Sequence, residues 1–216
     1  MPDKRITQLN PLSNPAGEDL FAVVDIDANE TKKTTYADLT GSLRQDIVST
    51  YGLYNQTGSY TGVSASIAES SIIGGGVGTL SVPANAFKQG DAHHVVLTGN
   101  CDFHNNDDLR IRVKADSISL VDTGNFTVAG AANKTWKMDI HFSIHEIGGA
   151  GTAKIISAGT FMYTKDASTD FQGVNFNTEN STTFNTTIDN QLEVTAQFSS
   201  ALNVLTTQIF TLHKIY

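Results

Sequence analysis

Asp139, His141 and His145 lie in a run in which apolar and polar residues alternate strictly. This period of two predicts a strand, on which His141 and His145 share a face but lie about 13 Å apart, at roughly 3.3 Å per residue. The two imidazoles therefore cannot bind one ion. Asp139 and His141 could share an ion only if a neighbouring strand supplied further ligands. His93 and His94 are consecutive, so they point to opposite faces and make no site by themselves.

A second polar cluster combines one imidazole, two amides and two carboxylates. Its residues are His104, Asn105, Asn106, Asp107 and Asp108. Oxygen-rich loops of this kind bind Ca²⁺ or a sugar, which makes the cluster a candidate ligand loop. A solvated turn is the alternative interpretation, because Asn and Asp tolerate the backbone angles that turns require.

The familiar catalytic and metal-binding motifs are not found in the sequence. Asp25, Asp27 and Asn29 imitate the start of a calcium-binding loop, but Glu30 replaces the glycine and Tyr36 the glutamate that such a loop needs. We therefore assign no catalytic residue, no metal ligand set and no cofactor. A carboxylate pair for cleaving a polysaccharide needs no closeness in sequence, so a hydrolase stays an alternative.

The composition excludes several classes of partner. The 216 residues carry a formal net charge of −8, and an acidic surface repels nucleic-acid phosphates. No apolar stretch is long enough to predict membrane insertion, and no secretory signal is recognised after Lys4 and Arg5. The single cysteine, Cys101, lies among alternating apolar and polar residues and is interpreted as a core thiol.

Residues 79–216 consist of strand-length segments separated by turns, with no credible helix. About eight strands at this spacing predict an all-β domain, a β-sandwich of jelly-roll type. Alternation also predicts its core, because a sandwich buries one face of each sheet. The expected core residues are Trp136, Met138, Ile140, Phe142, Leu192, Val194 and Phe198.

Two further zones precede this head. Residues 1–54 contain two short strand-like segments and then an amphipathic helix over residues 36–51. One apolar stripe of that helix is formed by Tyr36, Leu39, Leu43, Ile47 and Tyr51. Residues 55–78 are rich in Gly, Ser and Thr, which predicts a flexible or extended linker.

Several stretches together resemble proteins of known type. Residues 4–9, 19–25 and 31–39 look like the short N-terminal module that docks many bacteriophage and algal-virus fibre proteins to the virion. Residues 79–216 are similar to the jelly-roll heads of such fibres, which in turn resemble trimeric tumour-necrosis-factor-like heads. The matching pieces of the head are residues 79–85, 109–114, 183–187, 192–198 and 209–216.

The resemblance implies a non-enzymatic virion protein, made in the host cytoplasm, that sits on the virion surface as a fibre, spike or capsid-surface knob. Its expected partners are other virion proteins, bound through the N-terminal segment, and a glycan or protein receptor on the host. A free carbohydrate-binding or adhesive jelly roll is the main alternative, although a soluble lectin needs no docking segment.

A homotrimer is expected because apolar surface exceeds what one chain can bury. The last strand has Ile209 and Ile215 on one face and Phe210, Leu212 and Tyr216 on the other. We expect the trimer interface to contain Phe210, Leu212 and Tyr216, together with the helix stripe of residues 36–47.

Overall fold

The computed structural model describes residues 20–25, 30–37, 39, 52–166 and 170–216. The chain divides into two compact units, Met1–Val48 and Ser49–Tyr216. In the first unit, strands β1 (Leu20–Asp25) and β2 (Glu30–Thr35) form an antiparallel hairpin, as the two strand-like segments predicted. Tyr36, Ala37 and Leu39 have helical backbone. The remainder of the predicted helix, including Leu43 and Ile47, lies outside the described residues.

The second unit is built from fourteen described strands. They are β3 (Tyr54–Gln56), β4 (Tyr60–Ser64), β5 (Ser70–Ser71), β6 (Gly76–Gly78), β7 (Ser81–Val82), β8 (Ala92–Phe103), β9 (Asp108–Ala115), β10 (Ile118–Asp122), β11 (Phe126–Thr127), β12 (Ala131–Glu146), β13 (Lys154–Thr164), β14 (Phe171–Asn180), β15 (Asn190–Phe198) and β16 (Val204–Lys214). Every pairing between them is antiparallel.

These strands form two sheets with jelly-roll connectivity. The large sheet has the order β14-β13-β12-β8-β16-β3-β6, and β4 also pairs with β16. The small sheet has the order β10-β9-β15-β5, with β11 on β9 and β7 on β15. From β8 onward the chain crosses to the small sheet for β9 to β11, returns to the large sheet for β12 to β14, crosses again for β15 and ends in the large sheet with β16. The hairpin β13–β14 extends the large sheet beyond the four strands of a simple jelly roll.

One apolar core lies between the sheets. Six of the seven predicted core residues are buried in it, and Leu192 is half-buried against it. Trp136 is anchored there because its indole Nε1 donates to the Thr206 carbonyl oxygen at 3.0 Å. Cys101 is buried, as predicted, and burial raises the pKa of its thiol to about 12. The all-β, jelly-roll prediction is confirmed.

The expectation of a linker over residues 55–78 is not met, because this stretch supplies β3 to β6 to the two sheets. Val63, Ile72 and Ile73 are buried in the core. The Gln56 amide donates to the Thr207 carbonyl oxygen at 3.0 Å and accepts the Gly74 N–H at 2.8 Å. Glycine at position 74 provides close approach, since a Cβ there would lie 2.6 Å from Tyr60.

Among the described residues, no helix has the length and apolar character needed to cross a membrane.

Candidate functional site

The large sheet has an outward face, which consists of the residues that alternate with its buried ones. On β8, β12 and β16 this outward face carries three histidines that lie side by side in register. His141 pairs with His94 across β12 and β8, and His94 pairs with His213 across β8 and β16. A cross-strand pair brings the two Cβ atoms within about 5 Å, so the imidazoles of neighbouring strands can contact each other.

Three of these outward side chains form a compact group, here called the His–Asp cluster: His94, Asp139 and His141. The Oδ1 atom of Asp139 lies 2.9 Å from Nε2 of His94 and 3.3 Å from Nε2 of His141. The two imidazole rings stack with centroids 4.3 Å apart and planes 11° apart. The cluster is open to solvent on one side, with side-chain exposures of 28% for His94, 31% for Asp139 and 58% for His141.

The carboxylate of the His–Asp cluster is held by a third neighbour. Lys137 Nζ lies 3.2 Å from Oδ2 of Asp139, so one oxygen pairs with the ammonium group while the other faces the two imidazoles. Partial burial alone would raise the pKa of Asp139, but hydrogen bonds from His94 and Lys137 outweigh it and lower that pKa below its usual value. The carboxylate is therefore ionised at neutral pH.

The sequence identified Asp139 and His141 as a pair that lacked a third group, and the structure supplies that group as His94. His94 was discounted at the sequence level because it and His93 point to opposite faces. The missing information was the register between β8 and β12, which makes His94 the cross-strand partner of His141. Alternation in the sequence marked both segments as strands, but it did not show that these two strands pair with each other.

The candidate ligand loop connects β8 to β9, and its carboxylate Asp107 is engaged within the fold. Asp107 Oδ2 accepts hydrogen bonds from the Ser200 hydroxyl and, at 2.8 Å, from the Asn203 amide. The Asn203 Oδ1 atom in turn accepts the backbone N–H of His104 at 2.9 Å. The hydrogen bonds from Ser200 and Asn203 lower the pKa of Asp107. This loop is thus joined to the β15–β16 loop.

Two further polar side chains of the candidate ligand loop also have partners within the protein. Asp108 Oδ1 accepts from the Thr127 hydroxyl at 2.9 Å, and Asn105 Oδ1 accepts from the Gly130 N–H at 3.3 Å. Asn106 has a φ of 66°, the left-handed conformation that Asn tolerates in turns. The structure favours the turn interpretation of this loop over the ligand-binding one.

Two of the residues expected in a trimer interface belong to the core of the single chain. Phe210 and Leu212 are 0% and 4% exposed, so they pack inside the sandwich and are not free to contact another copy. On the outward face of β16 the exposed apolar residue is Ile209, which is 50% exposed. A bulge between Thr207 and Ile209 shifts the alternation of the strand, so that Ile209 lies on this outward face. Tyr216 is 82% exposed. Leu39 is exposed as well.

The outward face of the small sheet is different in character, because its charges neutralise one another. Arg110 pairs with Asp122, while Arg112 and Lys114 both pair with Glu69. The hydrogen bond from Arg110, opposed by partial burial, lowers the pKa of Asp122 to about 2. Because these charges are already paired within the chain, the network is more typical of a solvated surface than of a ligand-binding site.

A small apolar cavity of about 50 Å³ lies between the sheets. His93 and Phe142 contribute to its wall, and the Asn190 Oδ1 atom beside it has no hydrogen-bond partner. Desolvation lowers the pKa of His93 to about 4; the nearby Asp91 carboxylate opposes the shift and Lys214 adds to it. His93 is therefore a neutral core residue at physiological pH.

Comparison of the chain with protein-family models, with curated proteins and with solved structures finds no match.

Proposed function

We propose that the protein is a non-enzymatic structural protein of a virion, a fibre, spike or capsid-surface knob. In this proposal the jelly-roll unit is a head that contacts a glycan or protein on the host surface. The N-terminal unit attaches the head to other virion proteins, so the protein resides on the virion surface.

The observation that carries this proposal is the order of the two units along the chain: the N-terminal unit is followed by Ser49–Tyr216, which has jelly-roll connectivity. Fibre proteins of the type that the sequence resembles have this same order, a short docking module and then a jelly-roll head. Fold alone does not identify a ligand, so the receptor class rests on the resemblance.

Exposed apolar residues near the C-terminus support a homotrimer. Ile209, Ile215 and Tyr216 are at least half exposed to solvent. Burial of these apolar surfaces against another copy of the chain would be favourable. In jelly rolls of the resembled type the last strand lies in the sheet that faces the threefold axis. Light scattering at micromolar concentration checks this: three times the 23.2 kDa chain mass is expected, whereas the mass of one chain contradicts the trimer.

Immunogold labelling of virus particles with antibodies against the head tests the virion assignment. Label on intact particles is the expected result, and label confined to soluble host fractions contradicts it. A matched comparison uses two truncated chains. The chain from residue 49 should fold but fail to join particles, whereas the chain from residue 79 should not fold, because it lacks β3 to β6.

A glycan array and a turnover assay separate the alternatives. Binding of the full chain to a defined host glycan supports an attachment role. Release of reducing ends from host polysaccharide would instead support the hydrolase and contradict the non-enzymatic assignment.

A further inference from the structure

We propose that the His–Asp cluster binds one divalent transition-metal ion, of the zinc type, on the outward face of the large sheet. The ligands would be Nε2 of His94, Oδ1 of Asp139 and Nε2 of His141. These ligand atoms lie within 4.8 Å of one another. This site is argued from the geometry of one chain and stands independently of the proposed virion role.

Two of the three distances between ligand atoms are close to those that a tetrahedral ion imposes. With bonds of roughly 2.0–2.1 Å, a tetrahedral Zn²⁺ separates its ligand atoms by about 3.3–3.4 Å. The Asp139 Oδ1 to His141 Nε2 distance is 3.3 Å, and the distance from the same oxygen to His94 Nε2 is 2.9 Å. The second pair would open by only about half an ångström, which a small side-chain rotation provides.

The sheet fixes the backbone positions of the three ligand residues. His94 and His141 are register partners in the middle of two long strands, and Asp139 is two residues before His141 on the same face. Both Nε2 atoms lie near the same carboxylate oxygen, and because the rings stack nearly parallel, one ring must tilt for both nitrogen lone pairs to meet on a single ion. Ligands fixed on strands lose little conformational entropy on binding an ion.

The donor set selects the kind of ion. Two neutral imidazoles and one carboxylate suit Zn²⁺, Co²⁺, Ni²⁺ and Cu²⁺, whereas Ca²⁺ and Mg²⁺ need an oxygen-rich shell. Lys137 acts as a supporting group, because its contact with Asp139 Oδ2 orients the carboxylate and leaves Oδ1 free for the ion. The solvent-exposed side leaves room for water as a fourth ligand.

Isothermal titration calorimetry of the full chain with Zn²⁺ at pH 7.5 tests the proposal. One saturable equivalent per chain is expected, and Ca²⁺ and Mg²⁺ should give no heat of binding. Co²⁺ should produce the visible absorption of a tetrahedral or five-coordinate ion. The variants His94→Ala, Asp139→Asn and His141→Ala should each weaken Zn²⁺ binding by at least about tenfold.

His145→Ala is the matched control, since His145 is an exposed imidazole of the same strand. Its affinity for Zn²⁺ should equal that of the unmodified chain. Absence of saturable binding overturns the proposal, as does an affinity that the three ligand variants leave unchanged or that the control lowers equally. Metal-free thermal unfolding of every variant verifies folding, and His141→Gln replaces His141→Ala if the latter is unstable.

Discussion

His93 and His94 are consecutive residues of β8, yet they belong to two regions with opposite physical character. His93 lies on the inner face, packs edge-on against Phe87 with ring centroids 5.9 Å apart, and is held neutral by desolvation. His94 lies on the outward face, where it meets a carboxylate and a second imidazole. The inner face uses a histidine as an apolar ring, while the outward face uses one as a polar ligand.

Residue type alone therefore does not identify a functional histidine on a strand. Alternation assigns the face, but the neighbouring strands decide the chemistry. The inner face of the large sheet should therefore govern stability, and its outward face should govern binding.

Phe142 and His141 are neighbours on β12 and provide the most direct test of the division. Phe142→Ala removes a buried ring that pairs in register with His93 and Ser157, and it should lower the free energy of unfolding by about 3–5 kcal/mol. His141→Ala, without metal, should change it by no more than about 0.5 kcal/mol. Urea denaturation of both variants measures the contrast, and similar losses would contradict it.

Asn203 is a buried polar residue of the β15–β16 loop, so the division between sheet faces does not cover it, and its hydrogen bonds join this loop to the β8–β9 loop. Asn203→Ala removes its hydrogen bonds to the Asp107 carboxylate and the His104 N–H, and should cost about 2–3 kcal/mol. Asn177→Ala, at an exposed position of β14, is the control and should be nearly neutral. Equal, small effects in both variants would show that the hydrogen bonds between these two loops do not contribute to stability.

His93 should make the protein less stable in mild acid. Its pKa falls from an ordinary 6.5 to about 4 in the folded chain, so only the unfolded chain binds this proton between those values. The contribution of a neutral His93 is therefore fully present above pH 6.5 and declines as the pH falls toward 4. The expected loss between pH 7 and pH 5 is about 2 kcal/mol.

The comparison of two variants isolates this effect from the titration of carboxylates. His93→Phe keeps a ring of similar size in the core and should remove the loss of stability between pH 7 and pH 5. His145→Phe changes an exposed histidine and should retain it. An unaltered pH profile in His93→Phe would refute the assignment of the loss to His93.

The sequence predicted the parts of this fold that depend on local pattern. Period-two alternation identified β12 and β15 together with their buried residues, since each strand buries one face wherever it pairs. At β16 alternation separated the two faces correctly, with Ile209 on the face opposite Phe210 and Leu212, but it did not show which face turns toward the core. Phe210 and Leu212 were therefore assigned to an interface although they are core residues.

Features that depend on distant contacts could not be predicted from the sequence. The glycines of residues 74–78 were interpreted as flexibility, whereas Gly74 and Gly76 lie where Tyr60 and Tyr54 approach too closely for a side chain. In the same way, the His–Asp cluster requires His94, which is 45 residues from Asp139. A loose linker and a tightly packed edge of a sheet can have the same amino-acid composition, and only tertiary contacts distinguish them.

The central place of β16 in the large sheet also governs how the protein is made. β16 fills the gap between β8 and the β3–β4 region, and β15 fills the corresponding gap between β9 and β5. At about 5–20 residues per second, a ribosome that has completed β8 needs roughly 5–20 s more to deliver β16. During that interval one edge of β8 has no strand to pair with. Neither sheet can close before β15 and β16 have emerged from the ribosome, so closure of the sandwich waits for these two strands.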